Sequence, residues 1–217
     1  MASSTQPENN ASDGARQGSW IAVVPLAAWT LCHLLSNLAA FKSAQSWSTV
    51  VTWPTQPTVG VAASALVLLT LLFHTGTGLA RLSEAIHEPT EGSPWATRRA
   101  RLKWASALAV LCFLGAHIWL DFLYPRLVEG HAKRFYELAA QMRHGALTLP
   151  VFALGTLALS YHLALGLDGF ARARGLRASH DETKPSGKLF VAVFVLLLTM
   201  SWGTIFALWR AGGAFAG

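Results

Sequence analysis

Four histidines stand inside apolar stretches that hold almost no other polar residue: His33, His74, His117 and His162. Imidazole can ligate a metal, carry a proton or donate and accept hydrogen bonds. Placing it in hydrocarbon is costly and usually signals function without saying which. Two of the settings repeat, because FHTGTGL around His74 and YHLALGL around His162 share the pattern His-x-x-x-Gly-Leu. The four positions are separated by 41, 43 and 45 residues, close to the length of one membrane helix plus one loop. His87, His131, His144 and His180 fall in loops or at helix edges, where solvated surface is the default reading.

The elements that position these histidines follow from composition. The 217-residue chain is 53% hydrophobic and 13% charged, about half the charge of a soluble domain, which points to a membrane. Segments 20–41, 59–80, 104–124, 147–167 and 189–209 are each 21 or 22 residues long and nearly free of charge. Roughly 20 apolar helical residues cross the hydrocarbon layer, and a helix satisfies its own backbone there. The expected fold is therefore an all-α integral membrane protein, a bundle of five transmembrane helices spanning 19–217. Residues 1–18, small and polar without a basic n-region and cleavage site, read as a disordered cytoplasmic tail and not a signal peptide. Eleven Lys and Arg lie in the amino tail and the second and fourth loops, against six elsewhere. The positive-inside rule then puts the amino terminus in the cytoplasm and the carboxy terminus outside.

The net charge of +6 is accounted for by topology and a docking surface. No basic stretch interleaved with aromatics supports a nucleic-acid partner. Cys32 and Cys112 lie within spans and form no Cys-x-x-Cys-His, which excludes covalent c-type haem; small core residues is the simpler reading. Pro89, Pro94 and Pro185 break the two cytoplasmic loops. RFYELAAQM in the third loop reads as a short amphipathic interfacial segment. Trp47, Trp53, Trp119 and Tyr124 fall near outer helix ends as an aromatic belt.

With this topology the histidines sort by depth. His33 and His117 lie eight and seven residues before the outer ends of helices one and three. His74 and His162 lie six and five residues before the inner ends of helices two and four. Two pairs result, separated by roughly 10 Å along the membrane normal at 1.5 Å rise per residue. Two imidazoles facing each other across a bundle at one depth are what a bis-histidine haem b requires. A lone intramembrane histidine fits packing or a proton relay better than haem. Four, one per helix and paired by depth, favour haem. Zinc sites draw several ligands from close sequence spacing, and no such cluster occurs. Gly76, Gly78, Gly155 and Gly166 would let a flat macrocycle approach the backbone, or equally permit close helix packing.

HLLSNLAAF, FHTGTGL, AHIWLDF and SYHLALGLDGFARARGL, in helices one to four, resemble the single-chain, two-haem cytochrome b subunit that anchors bacterial succinate:quinone oxidoreductases and fumarate reductases. The resemblance covers residues 20–209, with histidines in the first four spans and none in the fifth. It implies a distal haem b on His33 and His117 and a proximal haem b on His74 and His162. It also implies flavoprotein and iron–sulfur subunits on the cytoplasmic side, and a quinone, menaquinone in this family, near the outer haem. The expected location is the bacterial cytoplasmic membrane, the chain itself binding no dicarboxylate and no flavin; association into a higher oligomer is left open.

Some family members carry an acidic residue two positions before the fourth-helix histidine, where this chain has Ser160, and one in the first outer loop, which here has none. Asp121, four residues after His117, is the remaining acidic candidate near the outer haem. For haem propionates, Arg81 is placed two turns beyond His74, with Arg172, Arg174 and Ser19 as further candidates; each is also an ordinary helix flank. Asn37, one turn past His33, would line the outer haem or quinone site, or bond a neighbouring helix. The competing readings are a haem b anchor of a hydrogenase or formate dehydrogenase, and a transporter or structural membrane protein without haem.

Overall fold

The computed structural model describes residues 9–51, 57–87, 94–175 and 187–215. Trp53, Pro89, Pro185, His180 and the first eight residues of the expected tail lie outside them. Among the described residues there are seven α-helices and no strand. Five carry the membrane-crossing segments, Ala22–Phe41, Thr58–Leu82, Ala100–Glu129, Thr148–Arg172 and Lys188–Gly212.

Helix α1, Asn9–Asn37, starts eleven residues before the first expected span, inside the polar amino segment. It tightens into a 3-10 turn over Leu38–Phe41. Helix α2, Ala44–Val51, is the first short helix, and α3, Pro57–His87, the second long one. Helix α4 runs over Pro94–His117 and passes into π-helical turns, Ile118–Leu123 and Pro125–Glu129. The short α5, Phe135–His144, precedes α6, Thr148–Ala173, and α7, Lys188–Gly212. Phe41, Glu129 and Gly212 finish three alternate spans at one end of the bundle, termed the distal end.

Helix α6 packs between α4 and α7, α7 also packs on α1 and α5, and α3 packs on α1. Neither α1 with α4 nor α3 with α6 is among the packed pairs. Every fourth residue of α6 is buried: Phe152, Thr156, Ser160, Ala164 and Asp168. That spacing keeps one face of a 3.6-residue helix inward. Its hydroxyls return to the helix itself, Thr156 Oγ1 donating to the Phe152 carbonyl at 2.7 Å and Ser160 Oγ to the Thr156 carbonyl at 2.8 Å. Such bonds meet the demand for polar partners in an apolar setting. On α3, by contrast, Val61, Leu66, Leu69 and Leu72 are all exposed, the pattern of a lipid-facing helix.

Two expectations change at the distal end. Trp47 does not sit in an aromatic belt: it is 6% exposed, donates from Nε1 to Asn37 Oδ1 at 3.0 Å and meets the Phe135 ring edge-on. Its indole hydrogen finds an acceptor inside the protein, so it needs no interfacial water. The segment RFYELAAQM does become a helix, α5, yet it docks and does not float. Phe135, Ala139 and Met142 are buried in the main core cluster with Trp47, Phe113, Phe152 and Leu208. Gly212 makes this contact, because a Cβ there would run into the Ala139 carbonyl. Trp119 and Tyr124 are exposed, as an interfacial position requires.

Candidate functional site

The four span histidines come together as two pairs. The rings of His33 and His117 have centroids 6.1 Å apart at an interplanar angle of 65°. Those of His74 and His162 are 6.4 Å apart at 75°. Each pair bridges two helices, α1 to α4 and α3 to α6, that are not among the main packed pairs of the described residues. His33 and His117 lie 8 and 12 residues from the distal ends of their spans, and His74 and His162 lie 16 and 14 residues from theirs, so the second pair sits deeper from the distal end.

The distal pair is walled by aromatics. Phe113, one turn before His117, stacks on its ring at 5.7 Å and 11°, while Phe152 of α6 meets it edge-on at 5.5 Å. Trp29, one turn before His33, stacks on that ring at 6.4 Å and 16°. Asn37 Nδ2 donates to the His33 carbonyl at 2.8 Å and lies 3.4 Å from its Nε2, with Oδ1 held by Trp47. Asn37 therefore links His33 to α2.

Each pair has one ring whose hydrogen placement the surroundings set. Asp121 Oδ2 lies 2.9 Å from His117 Nδ1. A carboxylate only accepts, so Nδ1 carries a hydrogen, and in the neutral ring Nε2 is then the nitrogen with the lone pair. At the other level Ser106 Oγ donates to the Lys103 carbonyl at 2.8 Å and lies 3.3 Å from His162 Nδ1. With its own hydrogen committed, the hydroxyl accepts from His162 Nδ1–H, which again leaves Nε2 open. His74 Nδ1 is buried with no hydrogen-bond partner among the described residues.

A bis-histidine haem fits these observations. An iron midway between two imidazoles, bonded to each at about 2 Å through a ring nitrogen, separates the ring centres by roughly 6 Å. Both pairs have that separation. A methyl built on Gly76, Gly78 or Gly166, beside the proximal pair, meets no atom within 4 Å. Gly155 belongs elsewhere: a Cβ there would strike the Phe113 ring, so this glycine serves α4–α6 packing. Among the described residues no three His, Cys, Asp or Glu side chains converge; the histidines are arranged in twos.

The flanking candidates divide. Arg81 is half-buried two turns beyond His74. Arg172 pairs with the fully buried Asp168 one turn before it. Arg174 lies over the Phe170 ring, 5.5 Å from its centroid. The side chain of Ser19 lies outside the described residues. Ser106, Asp168, Trp29 and Lys133 were not evident from sequence as site residues. Phe113 was within reach, because i and i−4 share a helix face.

Compared with known proteins, the chain matches no family model, no curated protein and no solved structure.

Proposed function

We propose that the chain is a di-haem cytochrome b membrane anchor of the succinate:quinone oxidoreductase and fumarate reductase type. The observation that carries this reading is the pair of imidazole pairs, 6.1 and 6.4 Å between centres, at two levels of a five-span bundle. Haem b, when bound, supplies a one-electron carrier at each level, the chemistry needed to link an iron–sulfur donor at one membrane face to quinone near the other.

The chain's own residues do the holding. His33 and His117 ligate at the distal level, His74 and His162 at the proximal level. Ser106 and Asp121 fix the ligating nitrogens by occupying the other ring nitrogen, an arrangement that typically strengthens metal sites. Phe113, Phe152 and Trp29 restrict ring rotation and exclude water around the distal pair. Arg81, half-buried two turns beyond His74, is the cation placed toward a proximal propionate. Asn37 and Asp121 line the distal side, where menaquinone would be received. The amino terminus lies in the cytoplasm of a bacterium, on the side that receives flavoprotein and iron–sulfur subunits.

A reduced-minus-oxidised spectrum of the purified chain tests the reading: two b-type haems are expected, and their absence would sink it. Co-purification with a flavoprotein and an iron–sulfur protein, together with succinate oxidation linked to quinone, is expected next. Co-purification with a hydrogenase or formate dehydrogenase would instead leave the haem assignment standing and replace the partner.

A further inference from the structure

The two pairs differ in what stands behind the ligand. Behind His162 is a neutral hydroxyl, Ser106 Oγ. Behind His117 is a carboxylate, with Asp121 Oδ2 at 2.9 Å from Nδ1 and the side chain 11% exposed. Asp121 is in turn faced by a cation, Lys133 Nζ, 3.5 Å from Oδ1. The local backbone holds that cation in place. Over Ile118–Leu123 the chain is π-helical, and the Tyr124 N–H bonds the Trp119 carbonyl five residues back. The next carbonyl in that ladder, Leu120, would need the N–H of Pro125, which proline lacks. Lys133 Nζ donates to the Leu120 carbonyl at 3.2 Å instead. The ammonium is thus tethered beside Asp121 by the Leu120 carbonyl, to which Pro125 cannot donate.

We infer that Asp121 is a positioning residue that acts through His117 to lower the electron affinity of the distal haem, and that Lys133 opposes it. The inference rests on the di-haem reading proposed above. A carboxylate accepting the Nδ1 hydrogen pushes electron density onto the imidazole, and a more basic ligand favours the oxidised, more positive iron. A tethered ammonium beside the carboxylate withdraws part of that effect. Behind the proximal ligand His162 stand neutral groups, the Ser106 hydroxyl and the Lys103 carbonyl, so the device acts on one haem of the two.

Redox titration of the full chain, followed at the b-type absorption bands, tests this. Titrating His162→Ala, which retains only the distal haem, identifies the distal wave. Asp121→Asn is expected to shift the distal oxidised-to-reduced ratio at a fixed ambient potential about tenfold toward reduced, which is 59 mV for a one-electron couple, with the proximal wave unmoved. Asp121→Glu is expected to return most of the shift. Lys133→Gln is expected to move the distal wave in the opposite direction, which a merely structural role would not do. Lys133→Gln also decides the matter if Asp121→Asn loses its distal haem. Distal waves that stay in place, or move in the same direction in both variants, would overturn the inference while leaving the di-haem reading intact. A wild-type chain without b-type bands would remove the reading itself.

Discussion

At the scale of single residues, the chemistry depends on what holds the imidazole nitrogen turned away from the partner ring. Ser106 does this for His162, and it can do so because its own hydrogen goes to the Lys103 carbonyl. Ser106→Ala removes one of the acceptors at the ring, the Lys103 carbonyl being the other, and loosens its orientation. Loss of such a partner typically weakens a metal site by about 10–100-fold. Ser106→Ala is therefore expected to lose its proximal haem at least tenfold faster than wild type, with distal haem retained. The rate of haem transfer to an excess of apo-acceptor protein measures it, and equal rates would count against the role. The two partners were not equally visible in the sequence. Asp121 follows His117 by four residues, so helical geometry alone puts them on one face. Ser106 and His162 are 56 residues apart, and only the register of α4 against α6 brings them together. Asp168 escaped notice because an acidic residue near a basic helix end reads as a surface flank. The structure buries it completely against Arg172.

At the scale of elements, glycines separate packing from cofactor space. A Cβ on Gly155 would meet the Phe113 ring, the same ring that stacks on His117. Gly155→Ala is expected to cost about 1–3 kcal/mol of stability, the usual range for overpacking a tight contact. It should also disturb the distal haem spectrum through Phe113. A methyl at Gly166 has no atom within 4 Å among the described residues, so on the di-haem proposal Gly166→Ala is expected to leave thermal unfolding of the haem-free protein unchanged or slightly stabilised, while proximal haem content falls. A Gly166→Ala chain with full haem content would show that no macrocycle approaches that face. Sequence treated these glycines alike, since His-x-x-x-Gly spacing carries no information about which neighbour a glycine faces. The five spans were legible because length and apolarity are local properties. The docking of α5 was not, since its buried side, Phe135, Ala139 and Met142, has the spacing of any amphipathic helix. The start of α5 is also pH-sensitive. Burial pushes the Glu137 carboxyl up, but hydrogen bonds from the Arg134 backbone N–H and guanidinium hold it below its ordinary value. A group depressed in the folded state contributes stability above its unfolded pKa and loses it as pH falls through the folded one. Amide-exchange protection at Leu138–Met142, taken relative to the intrinsic rate at each pH, is expected to fall as pH drops below about 4.5, the ordinary glutamate value, and Glu137→Gln is expected to abolish that change in protection.

At the scale of the whole molecule, the di-haem proposal reduces to which helices would share a prosthetic group. Depth alone predicts that alternate helices present histidine at the same level, and that much needs only the period of the spans and the direction of the chain. Depth does not say that α3 stands apart from α6 by the width of two imidazoles, or that α1 and α4 do the same. Those separations are set by α6 packing between α4 and α7 while α3 rests on α1. The architecture makes the two levels independent in composition, because no histidine serves both. Double substitutions therefore distinguish this pairing from any other. His33→Ala with His117→Ala removes both ligands of one level and should leave one haem per chain. His33→Ala with His162→Ala removes one ligand from each level and should leave none. If α1 were instead partnered with α6, the two results would be exchanged. Haem-to-protein ratios of the four single and two double variants, with circular dichroism to establish that each remains helical, decide between the arrangements. The ratios do so independently of any partner of the chain and of which membrane face its termini occupy, because they depend only on which histidines share a level.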